Sequence, residues 1–196
     1  MATAETAKLK ICLLGDEGVG KTSLVRRFVY SAFDEAYLRS LGVTIHKRVV
    51  YVPLDGATHA AVLTIWDVLG APEFVDRYLD AYVTNAVGLL AVCDLTRPET
   101  LDGLGRWFDR VRPSVGDVPS VVLANKRDLR SNAHVEEDDL LAFCELYGVP
   151  YMETSARTGE NVASAFARIA EMSIRAALAR RPAPAPPARL ASVPAR

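Results

Sequence analysis

The chain has 196 residues, half of them apolar, with 24 acidic and 23 basic side chains and a net charge of −1. That length suits one α/β domain with a short tail and leaves room for a sizeable core. The charge balance argues against nucleic acid as the main partner, and no apolar run approaches the length of a membrane span.

Residues 1–7 read as an N-terminal extension, small and polar from Met1 to Thr6, without the pattern of a signal peptide. The domain is expected over residues 8–179. Residues 8–14 predict the first strand. Gly15-Asp16-Glu17-Gly18-Val19-Gly20-Lys21-Thr22 follows, and residues 21–31 carry apolar side chains at helical spacing. A strand, a glycine-rich loop and a helix in that order make a phosphate cradle. The loop wraps its N–H groups around a phosphate, and the helix adds the positive end of its dipole. Lys21 is expected to reach the β- and γ-phosphates, and the Thr22 hydroxyl to bind a magnesium ion.

Periodicity fails from Ser31 to Leu41, which predicts a mobile loop. Val43 to Leu54 is long and β-branched, Asp55-Gly56 is a hairpin signal, and Ala60 to Trp66 predicts the returning strand. Asp67 follows it, and a short helix is expected near Pro72. Val87 to Cys93 predicts a strand buried on both faces. Thr96-Arg97-Pro98-Glu99 reads as a capping box opening a helix to about Arg112, with Trp107 and Val111 on one side of it. Ser120 to Ala124 predicts another buried strand, and Asn125 to Asn132 a loop. Val135 to Tyr147 predicts a helix whose acidic start, Glu136 to Asp139, is a solvated helix end. Tyr151 to Glu153 is a short last strand. Val162, Phe166, Ile169 and Ser173 trace one face of a final helix. No internal repeat is visible. This alternation predicts an α/β fold with a mostly parallel six-stranded sheet, one antiparallel strand and helices on both faces.

Residues 180–196 are Pro- and Ala-rich and are expected to be an extended, disordered tail, with a role as a proline-motif ligand open. Cys12 and Cys93 fall in strand patterns and Cys144 in a helix pattern. Buried free thiols in a reducing, cytoplasmic setting are expected. His46, His59 and His134 have no metal-ligand spacing.

A phosphate cradle alone suits a kinase, an ATPase or a GTPase. The loop after the fifth strand, Asn125-Lys126-Arg127-Asp128, decides between bases. The Asp128 carboxylate can accept from the guanine N1–H and exocyclic amino group. Adenine offers neither and would leave a partly buried carboxylate unpaired, at a cost of about 1–3 kcal/mol. The stem of Lys126 can lie along the base plane, and Asn125 can tie the loops together. Further on, Thr154-Ser155-Ala156-Arg157 offers the Ala156 N–H to guanine O6.

With these residues the chain resembles a small GTPase of the Ras superfamily, most closely the Rab branch. The resemblance is carried by Gly15 to Thr22, Leu41-Gly42-Val43, Ile65-Trp66-Asp67 and Asn125 to Asp128, and spans about residues 8–178. It implies a P-loop NTPase fold, GTP and GDP binding with magnesium, and two switch segments that rearrange on hydrolysis. The implied nucleotide site comprises Gly15, Glu17, Gly18, Val19, Gly20, Lys21, Thr22 and Ser23 in the phosphate loop. It adds Asn125, Lys126, Asp128, Ser155, Ala156 and Arg157 around the base, and Phe33 packs against guanine. Thr22, Ser40 and Asp67 are the implied metal-side residues, Asp67 through water. Ser40 and Gly70 also offer N–H groups to the γ-phosphate, so Lys21, Ser40 and Gly70 carry the implied catalytic roles.

Switch two departs from the family. The usual run continues Asp-Thr-Ala-Gly-Gln-Glu, whereas this chain has Asp67-Val68-Leu69-Gly70-Ala71-Pro72-Glu73. Ala71, or Pro72 if one residue is inserted, stands where a Gln would orient the attacking water, so slow intrinsic turnover is expected. Glu73 is an alternative water holder. Glu17 stands where the family has a small residue, and its carboxylate can repel the γ-phosphate or block a partner's arginine. The chain ends Ala191 to Arg196 without the cysteine that Rab-like proteins prenylate. Arg175, Arg180, Arg181 and Arg189 give a modest basic bias, consistent with peripheral membrane contact or with plain solvation. Two readings stay open: a hydrolysing switch that recruits effectors, with an exchange factor and an activating protein as further partners, and a GTP-loaded interaction module with negligible hydrolysis of its own.

Overall fold

A computed structural model describes residues 6–30, 37–40, 43–68 and 72–180, without the side chains of residues 37–40 and 72–76. The elements in order are β1 (Ala7–Leu14), α1 (Lys21–Val29), β2 (Tyr37–Ser40), β3 (Val43–Leu54), β4 (Ala57–Val68), α2 (Pro72–Val83), β5 (Gly88–Asp94), α3 (Pro98–Val115), β6 (Ser120–Asn125), α4 (Glu137–Tyr147), β7 (Tyr151–Glu153) and α5 (Val162–Ala179). A 3-10 stretch, Arg127–Asn132, joins β6 to α4.

The strands form one sheet in the order β2-β3-β4-β1-β5-β6-β7. β4, β1, β5, β6 and β7 run parallel, and β3 lies antiparallel to β4 through the Asp55-Gly56 turn. The six expected strands are therefore present. A seventh, β2, pairs antiparallel with the start of β3, Ser40 opposite Val43. It falls inside the segment expected to be a loop. Edge pairing needs only backbone N–H and C=O groups, which a search for apolar alternation does not register.

The parallel strands sort their side chains by the period of two. Leu9, Ile11 and Leu13 of β1 join Leu90 and Val92 of β5 under α1 and α5, where Phe28 and Phe166 stack with centroids 4.0 Å apart. Cys12 and Leu14 join Leu89, Ala91 and Cys93 on the other face, under Leu104, Trp107 and Phe108 of α3. Burial on both faces explains the near-continuous apolar runs of these strands. The loops that follow β1, β4, β5, β6 and β7 all leave the C-terminal edge of the parallel strands, where open α/β sheets form their clefts.

Three expectations change locally. Thr96 does not cap α3. The residue before the helix is Arg97, and the Thr96 hydroxyl and N–H both donate to Asp94 Oδ1, at 2.8 and 3.0 Å. A buried carboxylate two residues upstream outcompetes the helix end for that hydroxyl. The capping-box contact appears instead in the acidic start of α4, where the Asp139 carboxylate accepts the Glu136 N–H at 2.9 Å. The stretch expected as a loop after β6 is largely the 3-10 turn.

Candidate functional site

The loop between β1 and α1 is held by its glycines and its carbonyls. Gly15 has φ +132°, and a Cβ there would lie 2.2 Å from the Val92 carbonyl oxygen. Gly20, the residue before α1, has φ +104°, and a Cβ there would meet the Asn125 amide nitrogen at 2.3 Å. Backbone in this region favours glycine, and the close approaches exclude a side chain.

Lys21 opens α1 and folds back over the loop. Its Nζ donates to the carbonyls of Gly15 and Asp16 at 2.6 and 2.8 Å. Burial pushes this ammonium down to about 8, against the pull of Asp67, Asp16 and Glu17. The next residue, Thr22, donates its hydroxyl to Asp67 Oδ2 at 2.6 Å. Asp67, near the end of β4, is raised above the usual carboxylate range by burial, an effect opposed by Thr22 and Lys21. A hydroxyl and a carboxylate oxygen therefore stand side by side beside a buried ammonium. Oxygen donors of this kind suit a hard divalent cation such as magnesium.

Across the sheet edge, Asn125 closes β6 and joins three segments. Its Nδ2 donates to the Val19 carbonyl at 2.8 Å. Its Oδ1 accepts the Ala156 N–H at 3.1 Å and the Thr154 hydroxyl at 3.3 Å. The Ala156 N–H, expected to face a guanine, is thus turned onto Asn125. Asp128 Oδ1 accepts the Ser155 hydroxyl at 2.6 Å, while Arg157 lies 3.8 Å from its other oxygen. Lys126 reaches Asp94 Oδ2 at 2.6 Å. The exposed Ser23 follows Thr22 along α1, and the exposed Glu17 and Gly18 sit on the rim of the loop. Ser40 is described only by its backbone, at the end of β2. Phe33, Gly70 and Ala71 lie outside the described residues, as do the side chains of Pro72 and Glu73.

Several residues that brace the site escaped the sequence reading. The Trp107 indole donates to Asp16 Oδ1 at 2.8 Å, fixing the loop to α3. Arg27 Nε donates to the Ala156 carbonyl at 3.1 Å, and its Nη2 bonds the Arg157 carbonyl. Arg127 pairs with Glu153 at 3.0 Å and also with Glu160, locking the loop after β6 to the loop after β7. Asp94 is fully buried and gathers Lys126, Arg97 and Thr96. A carboxylate ending an otherwise apolar strand was the available signal.

A family model described as "Ras family" matches residues 10–175. The chain is 35% identical over 177 residues to the GTP-binding protein YPTM2 of Zea mays, covering 90% of this chain and 84% of that one. It is 37% identical over 170 residues to the Ras-related protein Rab-37 of Mus musculus, covering 85% and 74%. To the Ras-related protein RABD2a of Arabidopsis thaliana it is 34% identical over 175 residues, covering 89% and 83%.

Proposed function

The chain belongs to the Ras family as a Rab-like small GTPase, and from that premise we propose that it is a guanine-nucleotide switch that hydrolyses GTP slowly by itself and recruits effectors in its GTP state. The observation that carries the nucleotide reading is Asn125, which ties the Val19 carbonyl of the phosphate loop to the Ala156 segment. One side chain thereby couples the two halves of a nucleoside-phosphate cleft.

In this reading Gly15 to Ser23 cradle the phosphates through backbone N–H groups, and Lys21 moves from the Gly15 and Asp16 carbonyls onto phosphate oxygens. Asp128 takes the guanine donors, with Ser155 holding its carboxylate. Lys126 lies along the base, anchored by Asp94, and Phe33 covers the base. Thr22, Asp67 and Ser40 would hold magnesium, whose charge stabilises the phosphate oxygens when it is bound. Ser40 and Gly70 sense the γ-phosphate, and partners read the order this imposes.

Slow turnover follows from Ala71. Phosphoryl transfer to water depends on positioning and electrostatics, and a methyl side chain cannot hold a water. The carboxylate of the exposed Glu17 adds repulsion toward the γ-phosphate and stands where a partner's arginine would enter. The test is single-turnover hydrolysis of preloaded GTP with magnesium. GTP is expected to persist for hours in the parent chain and to convert faster in Ala71→Gln. Fast conversion in the parent overturns the slow-hydrolysis reading and makes Glu73 the next residue to change. No gain in Ala71→Gln removes the assigned cause. Complete persistence in both favours the loaded interaction module.

A further inference from the structure

Four carbonyls of the phosphate loop are held by side chains. Lys21 takes those of Gly15 and Asp16, and Asn125 takes that of Val19. The fourth, Glu17, accepts from Arg97 Nη2 at 3.1 Å. Arg97 belongs to none of the motifs on which the nucleotide reading rests. It stands just before α3, at the end of the turn that follows β5.

Arg97 is itself aimed from behind. Its Nε lies 2.9 Å from Asp94 Oδ2, and Asp94 has no exposed surface. The same carboxylate accepts Lys126 and both donors of Thr96, so its position is fixed without Arg97. The guanidinium also covers Gly18: a Cβ there would sit 3.5 Å from Nη2. A planar fork with several donors can satisfy a carboxylate and a carbonyl at once, which an ammonium does less well.

We propose that Arg97 is a positioning residue for phosphate recognition, holding the Glu17 carbonyl so that the Gly18 N–H points into the loop toward the β-phosphate. A trans peptide is planar, so the C=O of Glu17 and the N–H of Gly18 point to opposite sides. Fixing the carbonyl outward on Arg97 fixes the N–H inward. A cation on the carbonyl also polarises the peptide, and a polarised N–H is a stronger donor to an anionic oxygen. Arg97 places positive charge beside the peptide of Glu17, the residue whose carboxylate opposes phosphate at this loop. This assignment rests on the guanine-nucleotide reading and deepens it: one arginine of the chain acts on the phosphates through the far side of a peptide, without touching them itself.

The test compares release of fluorescent GDP and of a non-hydrolysable GTP analogue from the full chain with affinity for GMP, which lacks the β-phosphate. Arg97→Ala is expected to release both nucleotides roughly tenfold faster, the size of one charge-assisted hydrogen bond. GMP affinity should stay within twofold, and Arg97→Lys, which keeps the charge but not the two-ended fork, should recover only part of the loss. Arg97→Gln, which retains a donor without the charge, should fall between Ala and Lys. GDP release within twofold of the parent in Arg97→Ala overturns the assignment. An equal loss for GMP also overturns it, because the effect then runs through Asp94 and Lys126 to the base. If the parent chain binds neither GDP nor the analogue, the switch reading itself falls and takes this assignment with it. A normal parent with an unaffected Arg97→Ala overturns the assignment alone.

Discussion

Asn125 and Val19 stand 106 positions apart in the chain, and the Asn125 amide donates to the Val19 carbonyl at 2.8 Å in a site with almost no solvent. Asn125→Ala removes that bond and the acceptor for the Ala156 N–H. Each buried group left without a partner costs about 1–3 kcal/mol. The variant should melt several degrees lower and release GDP faster, as read by thermal unfolding and fluorescent-nucleotide dissociation. Unchanged release would contradict a linking role.

Gly15→Ala sets a methyl group against the Val92 carbonyl oxygen, 2.2 Å from the ideal Cβ position, at φ +132°. The obstacle is backbone of a central strand and cannot swing aside. Overpacking of this kind costs roughly 1–3 kcal/mol or more, to which the strain of the left-handed region adds. Denaturant unfolding should show that loss together with weakened phosphate binding.

Asp128→Asn exchanges one carboxylate acceptor for an amide donor. Guanine presents two donors to this residue, whereas xanthine presents one donor and one acceptor. Affinity for GDP should fall by about 1–3 kcal/mol, roughly tenfold to a hundredfold, while affinity for xanthosine diphosphate rises. Competition binding of the two nucleotides measures the exchange. An undiminished preference for GDP would remove Asp128 from base recognition.

Lys21 provides a pH dependence with a defined sign. Burial lowers it to about 8 from an ordinary value of 10.5. Between those values the unfolded chain binds more protons than the folded one, so the contribution of Lys21 to stability rises with pH across that window. A bound phosphate favours the ammonium and reverses the balance. Nucleotide binding should therefore take up a proton above about pH 8, and affinity should fall by up to tenfold per pH unit there. Calorimetry in two buffers of different ionisation enthalpy reads the uptake directly. Absence of uptake at pH 9.5 would show that Lys21 stays charged.

The frame was legible because apolar runs of strand length alternate with helical faces. The first strand over residues 8–14 is present, and the helical face of Val162, Phe166, Ile169 and Ser173 emerges buried. The Gly15 to Thr22 loop and the Asn125 to Asp128 stretch stood out because each follows a strand directly, and the structure brings the two together through Asn125. The bracing was not. Trp107 fits a core stripe equally well, and its indole bond to Asp16 spans 91 positions. Thr96 has the pattern of a cap, but the buried carboxylate of Asp94 takes its hydroxyl. Arg97, Arg27 and Arg127 look like solvated surface until the loops are folded together, since an arginine's reach is set by tertiary approach and leaves no local period.

The three cysteines have a practical corollary. All lie buried, and burial drives Cys12 and Cys93 up to about 12 and Cys144 up to about 11. The thiolate is the form that alkylates, so near neutral pH the native thiols are shielded twice, by packing and by protonation. A single Tyr51→Cys change, at a side chain 71% exposed on β3, would then carry a maleimide dye at one defined address. The wild-type chain would serve as its own unlabelled blank, with no native cysteine to remove first.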